Sequence, residues 1–96
     1  MQDYRRLDVW RRAHRLVLAV YSATSTFPDD ERFGLSLQLR RAATSAASNI
    51  VEGAGRSTSR EFARFLDIAR GSLGEVEYCF SWLVTSDMLT VSLQST

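Results

Sequence analysis

The chain is poor in the residue types that build disulfides, metal sites and catalytic centres. Its 96 residues include one cysteine, Cys79, and one histidine, His14. A single cysteine excludes an internal disulfide and a zinc site of clustered cysteines, and a single histidine excludes a site with several imidazole ligands. No nucleophile stands in a recognisable pattern with a base or an acid. The sequence therefore predicts a protein that is not an enzyme, with no catalytic residues, no metal site and no cofactor.

Long apolar runs are absent as well. No run approaches the roughly 18 to 20 residues needed to cross a bilayer, which excludes a membrane-spanning helix. The first residues, MQDYRR, are followed by amphipathic patterning rather than by the apolar core of a secretory signal. We therefore expect a cytoplasmic protein with no membrane partner. A chain of 96 residues has room for one domain, 1–96, whose small core would gain stability from partner subunits.

Lysine is missing, so every one of the twelve basic residues is an arginine. With eleven carboxylates the net charge is +1, which by itself does not indicate nucleic acid. The arginines are nevertheless grouped along the chain, and a guanidinium binds phosphate and carboxylate alike. The groups fit either a basic surface that contacts nucleic-acid backbone or helix faces on which the charges are solvated and paired. They are Arg5, Arg6, Arg11, Arg12 and Arg15; Arg40 and Arg41; and Arg56, Arg60 and Arg64.

What the sequence does contain is three stretches with the apolar periodicity of amphipathic helices. The first, about 7–26, repeats apolar residues at alternating spacings of four and three, and Phe27-Pro28 is predicted to end it. The second, about 35–52, is rich in alanine and serine, so neighbouring backbones can approach it closely. On another face of this helix a polar stripe is predicted, which either faces solvent or docks a partner: Arg41, Ser45, Ser48 and Glu52.

The third stretch, about 59–86, has the strongest helical signal. It opens with Thr58-x-x-Glu61, the pattern of a capping box, and then keeps a heptad repeat of apolar residues typical of knobs-into-holes packing. Together the three stretches predict an all-α fold, an antiparallel up-and-down helical bundle.

Glycines predict where these helices end and where they meet. Gly34 is expected in the joint before the second helix, and Gly53-Ala54-Gly55 is expected to stop that helix, with a glycine just past the last turn as a left-handed terminator. Gly71 and Gly74 each cost about 1 kcal/mol inside a helix, which suggests close contact with a crossing element. Residues 88–96 are too few for another long helix and are expected to form a short tail.

The chain resembles the family of small four-helix-bundle proteins first described from intervening sequences of bacterial 23S ribosomal RNA genes. The likeness covers most of the chain and is specific as a set of motifs in register. It rests on Leu7-Asp8-Val9-Trp10; on Phe27-Pro28 with Glu31 and Phe33-Gly34-Leu35; on Gln38-Leu39-Arg40-Arg41-Ala42-Ala43; on Ser48-Asn49-Ile50-Val51-Glu52-Gly53 with Gly55-Arg56; and on Phe62, Phe65-Leu66, Ala69-Arg70-Gly71-Ser72-Leu73 and Glu75.

The resemblance implies an up-and-down four-helix bundle that assembles into a homo-oligomer, a cyclic pentamer. It also implies a relation to the accessory variability protein of diversity-generating retroelements, a basic pentameric bundle that binds nucleic acid and a reverse transcriptase. Relatives continue beyond Met88-Leu89 into a fourth helix, which is expected to be truncated or missing here. An apolar seam of Trp10, Phe65, Phe80 and Trp82 would then be covered by another subunit.

Two functions follow as hypotheses. The first is a non-enzymatic oligomeric protein that binds the backbone of RNA or DNA through surface arginines: Arg40 and Arg41 foremost, then Arg11, Arg12 and Arg15, with Arg56. The second is a scaffold that docks another protein on its small-residue helix and polar stripes and binds no nucleic acid. By the resemblance, Arg40, Arg41 and Arg56 are also signature residues of the family. The remaining signature residues, Asn49, Glu52 and Gly53, are interpreted as structural.

Overall fold

A computed structural model describes the backbone of residues 2–26 and 33–94 and the side chains of residues 2–26 and 34–82. Every regular element in these ranges is helical, which confirms the all-α class. The elements are a one-turn 3₁₀ helix at Tyr4–Arg6, then α1 at Asp8–Thr24, α2 at Phe33–Ala54 and α3 at Ser59–Gln94.

The helix α1 ends two residues earlier than the periodicity predicts. The Thr24 hydroxyl donates to the carbonyl of Val20 at 2.7 Å, and the Ser25 hydroxyl donates to that of Ser22 at 2.7 Å. Such local side-chain bonds compete with the helical ladder and favour a helix end. The predicted terminator, Phe27-Pro28, lies outside the described residues.

The helix α2 ends at Ala54, within the predicted stop Gly53-Ala54-Gly55. The left-handed part of that prediction is wrong, because no glycine in the described ranges has a positive φ. Gly53 is buried, and a Cβ built on it would lie 2.8 Å from both Phe62 Cδ1 and Phe65 Cβ. A glycine is therefore needed here because the first turn of α3 crosses α2 too closely for a side chain. Gly34, expected in a joint, is a helical residue in the first turn of α2.

The start of α3 follows the prediction, whereas its end does not. The Thr58 hydroxyl accepts a hydrogen bond from the backbone N–H of Glu61 at 3.2 Å, as a capping residue does. The helix then runs to Gln94, through most of the tail expected at 88–96. Neither glycine nor proline occurs after Gly74, so nothing in the sequence breaks the helix.

The glycines in the middle of α3 also differ from expectation. Gly71 and Gly74 are exposed, and a Cβ built on either would have no atom within 4 Å. The predicted close contact with a crossing helix is therefore wrong for this chain by itself, because both glycines lie on the face of α3 that points away from α2.

The helix α2 lies between α1 and α3 and forms the core with both. In the described parts of the chain, no Cα of α1 comes within 8 Å of a Cα of α3. Ala13 of α1 and Ala69 of α3 meet over Ile50 of α2 in one buried cluster. A second cluster joins residues of all three helices: Val20, Leu39, Ala42, Ala43, Val76 and Cys79. The two outer helices thus pack on α2 rather than on each other, and each runs antiparallel to it.

The described residues form three long helices, so the four-helix part of the prediction is not confirmed, and one side of α3 is left open. On the open side, α3 has a heptad row in which Leu66 is half-buried and Leu73 and Phe80 are each 37% exposed. Of the seam expected from the sequence, Trp10 and Phe65 are half-buried and Trp82 is exposed. None of the described helices is long and apolar enough to cross a membrane.

Candidate nucleic-acid interface

One face of α1 carries a line of exposed aromatic and apolar side chains. Trp10, His14, Leu18 and Tyr21 follow each other at spacings of four, four and three residues, which places them on the same side of a helix. Trp10 is half-buried at the edge of the core, and the other three are exposed. We call these four residues the α1 stripe. It runs beside α2 on the side opposite α3.

The N-terminal end of the α1 stripe is a small stack of rings. The His14 imidazole lies parallel to the Trp10 indole, with 4.9 Å between centroids and 11° between planes. The Tyr4 ring meets Trp10 edge to face at 5.0 Å, and the Arg5 guanidinium lies 5.3 Å from the Tyr4 centroid. Such pairs have the geometry that aromatic quadrupoles favour, so the rings hold each other in place. Beside the stack is a shallow depression of about 420 Å³, lined by Asp8, Trp10, Arg11, His14 and Arg15.

The C-terminal end of the α1 stripe joins α1 to α2 through an arginine. The Arg40 guanidinium lies 4.6 Å from the centroid of the Tyr21 ring, and its Nε donates to the Thr24 hydroxyl at 2.7 Å. Arg40 is half-buried, and its guanidinium is held by these two contacts inside the protein. A second depression, of about 430 Å³, opens next to it between the helices. Its lining residues are Tyr21, Leu37, Arg40, Arg41, Thr44, Ser45 and Ser48.

The N-terminal part of the chain carries an excess of positive charge. Residues 1–24 contain five arginines and only two carboxylates, Asp3 and Asp8. Asp8 pairs with Arg12 at 3.0 Å, and Asp3 accepts the backbone N–H of Arg5 at 3.1 Å. The Arg11 guanidinium donates one hydrogen bond to the Arg6 carbonyl at 2.9 Å, which leaves its other N–H donors for a ligand. The surface around Arg11 and Arg15 is therefore cationic.

The helix α3, in contrast to α1, carries no excess of positive charge. Residues 55–82 hold four arginines and four carboxylates, and Arg70 pairs with Asp67 at 2.7 Å. An anion approaching the protein therefore meets a more positive potential at α1 than at α3.

The structure separates the six arginines predicted to bind nucleic acid. Arg11 and Arg15 flank the ring stack, and Arg41 is exposed beside Arg40 at the other end of the α1 stripe. Arg12 is occupied by Asp8. The sixth, Arg56, lies at the turn between α2 and α3.

Arg56 is held by its own neighbours. Its Nη2 lies 3.4 Å from Glu52, and its guanidinium stacks over Phe65 at 4.8 Å. The four predicted arginines other than Arg12 and Arg56 therefore line depressions at the two ends of the α1 stripe, whereas Arg12 and Arg56 are held in local ion pairs.

The residues interpreted as structural lie at helix contacts. The Asn49 side-chain amide donates to the carbonyl of Ser45 at 2.8 Å, and the hydroxyl of Ser45 bonds that of Ser72 on α3 at 3.0 Å. Glu52 pairs with Arg56, and Gly53 allows the crossing of α3. Of these residues, Gly53 contacts α3 directly, and Asn49 does so only through Ser45.

Sequence reasoning missed the aromatic part of the site. Taken by side-chain type alone, Trp10 fits an apolar seam and His14 indicates no role. The spacing of Trp10, His14 and Tyr21 was the available signal, since it places three rings on one helical face next to arginines.

A comparison with protein-family models matches residues 5–95 to the 23S rRNA-intervening sequence protein family. The chain belongs to this family. The match covers α1, α2 and α3 and therefore the whole α1 stripe with its neighbouring arginines. It confirms the family that the sequence motifs indicate. No curated protein matches the chain.

Proposed function

We propose that this protein is a non-enzymatic, self-associating helical protein of the cytoplasm that binds the backbone of RNA or DNA. The observation that carries the proposal is the cationic surface of Arg11 and Arg15 beside the ring stack, with the nearer carboxylate, Asp8, paired to Arg12. Arginine forks bind phosphate oxygens in bidentate fashion and release counterions as they do so.

Arg41 extends this surface toward the other end of the α1 stripe. It is exposed beside the depression that Tyr21 and Arg40 line. Arg40 has a different part in the proposal: it fixes Tyr21 and Thr24 and so holds the surface in shape. A variant that removes Arg40 would change packing as well as binding, which makes it a poor test of phosphate contact.

The test is a binding titration over a salt series with the double variant Arg11→Gln, Arg15→Gln. Each phosphate contact contributes about 0.7 to 0.9 to the slope of log affinity against log salt, so the double variant should lose about 1.4 to 1.8 of that slope. The matched control is Arg60→Gln, Arg64→Gln, two exposed arginines at the same spacing on α3. An unchanged slope in the Arg11, Arg15 variant, or an equal loss in the control, would contradict the proposal.

Self-association is proposed from the open side of the bundle. Leu73 and Phe80 are 37% exposed in a heptad row, and helix–helix seams use that spacing. We propose that a second copy of this chain covers the row, and the family resemblance suggests a ring of five copies.

A protein scaffold is the second candidate. Tyr78 is 67% exposed and Trp82 is 47% exposed, and together with Leu35, Gln38 and Cys79 they line a depression of about 270 Å³ between α2 and α3. Aromatic side chains of this kind are typical of protein interfaces. However, the small residues of α2 expected to dock a partner, among them Ala42, Ala43 and Ala46, are buried inside the bundle. Recovery of a protein partner at high salt, with no nucleic acid bound at low salt, would favour the scaffold.

A further inference from the structure

The ring arrangement along α1 distinguishes between the forms of nucleic acid that the proposed function leaves open. A duplex presents phosphates and base edges to a protein, while its base faces are stacked inside. A single strand presents phosphates and base faces together, and proteins bind it with arginines interleaved with exposed aromatic rings. The α1 stripe has the second composition.

His14 offers a face for a base at one end of the α1 stripe. One side of the imidazole is covered by the parallel indole of Trp10, and the side chain is exposed. A base placed on the outer side would continue the stack that Tyr4 and Trp10 begin. Because Trp10 is anchored against the buried cluster of Ala13, Ile50 and Ala69, the imidazole is positioned before any ligand arrives.

Tyr21 offers a second face at the other end. Arg40 covers one side of its ring at 4.6 Å, yet the residue is 45% exposed. The two faces are seven residues apart on one side of α1, which corresponds to about 10 Å along the helix axis. Exposed Leu18 lies between them and continues the apolar surface.

The charges match the same path. Arg11 and Arg15 are four residues apart, about 6 Å along the axis, and stand on the flank of the stripe at its His14 end. Arg41 stands on the α2 side at its Tyr21 end. A strand whose bases lie on the rings thus has guanidinium groups near its phosphates at both ends.

We propose that the α1 stripe binds single-stranded nucleic acid in preference to duplex, with bases stacked on His14 and Tyr21 and phosphates bound by Arg11, Arg15 and Arg41. This inference rests on the proposed function and narrows its ligand to unpaired RNA or DNA.

The experiment compares a labelled single-stranded 12-mer with a hairpin duplex of the same strand, by fluorescence anisotropy at several salt concentrations. The protein variants are His14→Leu, Tyr21→Leu, which keeps apolar bulk but removes both π faces, and a control, Tyr78→Leu, which removes an exposed ring from α3. Far-UV circular dichroism establishes that each variant is folded.

The unmodified protein should bind the single strand at least about tenfold more tightly than the duplex. The His14, Tyr21 variant should lose about tenfold or more in single-strand affinity and little in duplex affinity, with its salt slope unchanged. The Tyr78 control should keep the preference. Equal affinity for strand and duplex, or a preference that survives loss of both rings, would overturn this inference while leaving the proposed function intact. Absence of binding to both ligands at low salt would overturn the two together.

Discussion

Individual residues in this protein are constrained chiefly where two helices cross. Gly53 is the clearest case, since a Cβ there would lie 2.8 Å from carbon atoms of Phe62 and Phe65. We expect Gly53→Ala to lower the free energy of unfolding by about 1 to 3 kcal/mol, because α3 must shift to make room. Urea denaturation measures this. Gly55→Ala is the control: its nearest atom, the Glu52 carbonyl oxygen, is at an ordinary 3.5 Å, so equal destabilisation in the two variants would contradict the explanation.

Cys79 gives a second test at the residue scale. It is 1% exposed in the core between α2 and α3, and burial, with a smaller effect of the Glu75 charge, raises the pKa of its thiol. The reactive thiolate is thus scarce and shielded in the folded protein. We expect iodoacetamide at pH 8 to alkylate the native protein far more slowly than the urea-unfolded chain, as followed by mass spectrometry. Native alkylation at the rate of a free thiol would show that this core is open.

The same shift in pKa sets the sign of a pH effect. The folded thiol of Cys79 keeps its proton to higher pH than the unfolded thiol does. Its contribution to stability is therefore fully present below the unfolded pKa and decreases as the pH rises above it.

The role of a side chain can be predicted from the sequence where its hydrogen-bond partner lies close to it in the chain. Thr58 was recognised as a cap because Glu61 follows it three residues later. The partner of Arg40 is Thr24, sixteen residues away on another helix, and no local pattern contains that distance. Arg40 was therefore expected on the surface, and the structure shows it half-buried between two helices.

At the scale of the element, α3 contains two glycines whose low helix propensity is not offset by close packing against a neighbour. Gly71 and Gly74 lie on an exposed face, and a Cβ on either would meet nothing within 4 Å. We expect Gly71→Ala and Gly74→Ala each to stabilise the protein by up to about 1 kcal/mol, because alanine is the better helix former. Thermal unfolding should show a higher Tm for each variant. A lower Tm would mean that another molecule packs closely on this face in solution.

Apolar periodicity predicts most of the extent of each helix, but it does not predict which other elements pack against that helix. The apolar repeat of α3 predicted the helix, and Ala69 and Val76 of that repeat are buried, whereas Leu73 and Phe80 are exposed. Periodicity cannot report whether a second side of the helix is covered, so the glycines were wrongly expected to meet a crossing element. The end of α3 was missed for a related reason: residues 88–94 have weak periodicity, but they contain no breaker and the helix continues through them.

At the scale of the whole molecule, the helix lengths do not match. A helix of 36 residues is about 54 Å long, while the 22 residues of α2 give about 33 Å. The molecule is accordingly elongated, with extents of 59 × 21 × 20 Å. The packing of Gly53 against Phe62 and Phe65 aligns the start of α3 with the end of α2, so the C-terminal part of α3 projects beyond its partner. A long helix that keeps an uncovered apolar row is uncommon in a monomeric protein.

This leads to the prediction for the assembled protein. If a second copy covers the heptad row, the mass in solution should exceed that of the 10.8 kDa chain, and the double variant Leu73→Glu, Phe80→Glu should shift it toward the monomer. Both side chains are 37% exposed, so the substitutions place charge in the contact without emptying the core. Size-exclusion chromatography with light scattering measures the mass directly.

The control is Tyr78→Glu, a substitution at a 67% exposed position that projects from the other side of α3. The idea of a covered row is contradicted if the unmodified chain is monomeric at micromolar concentration, or if the Leu73, Phe80 variant and the Tyr78 control have the same mass. Because the α1 stripe lies on a different side of the bundle, the monomeric variant should still bind single strands, with the avidity of the assembly lost and the preference over duplex retained.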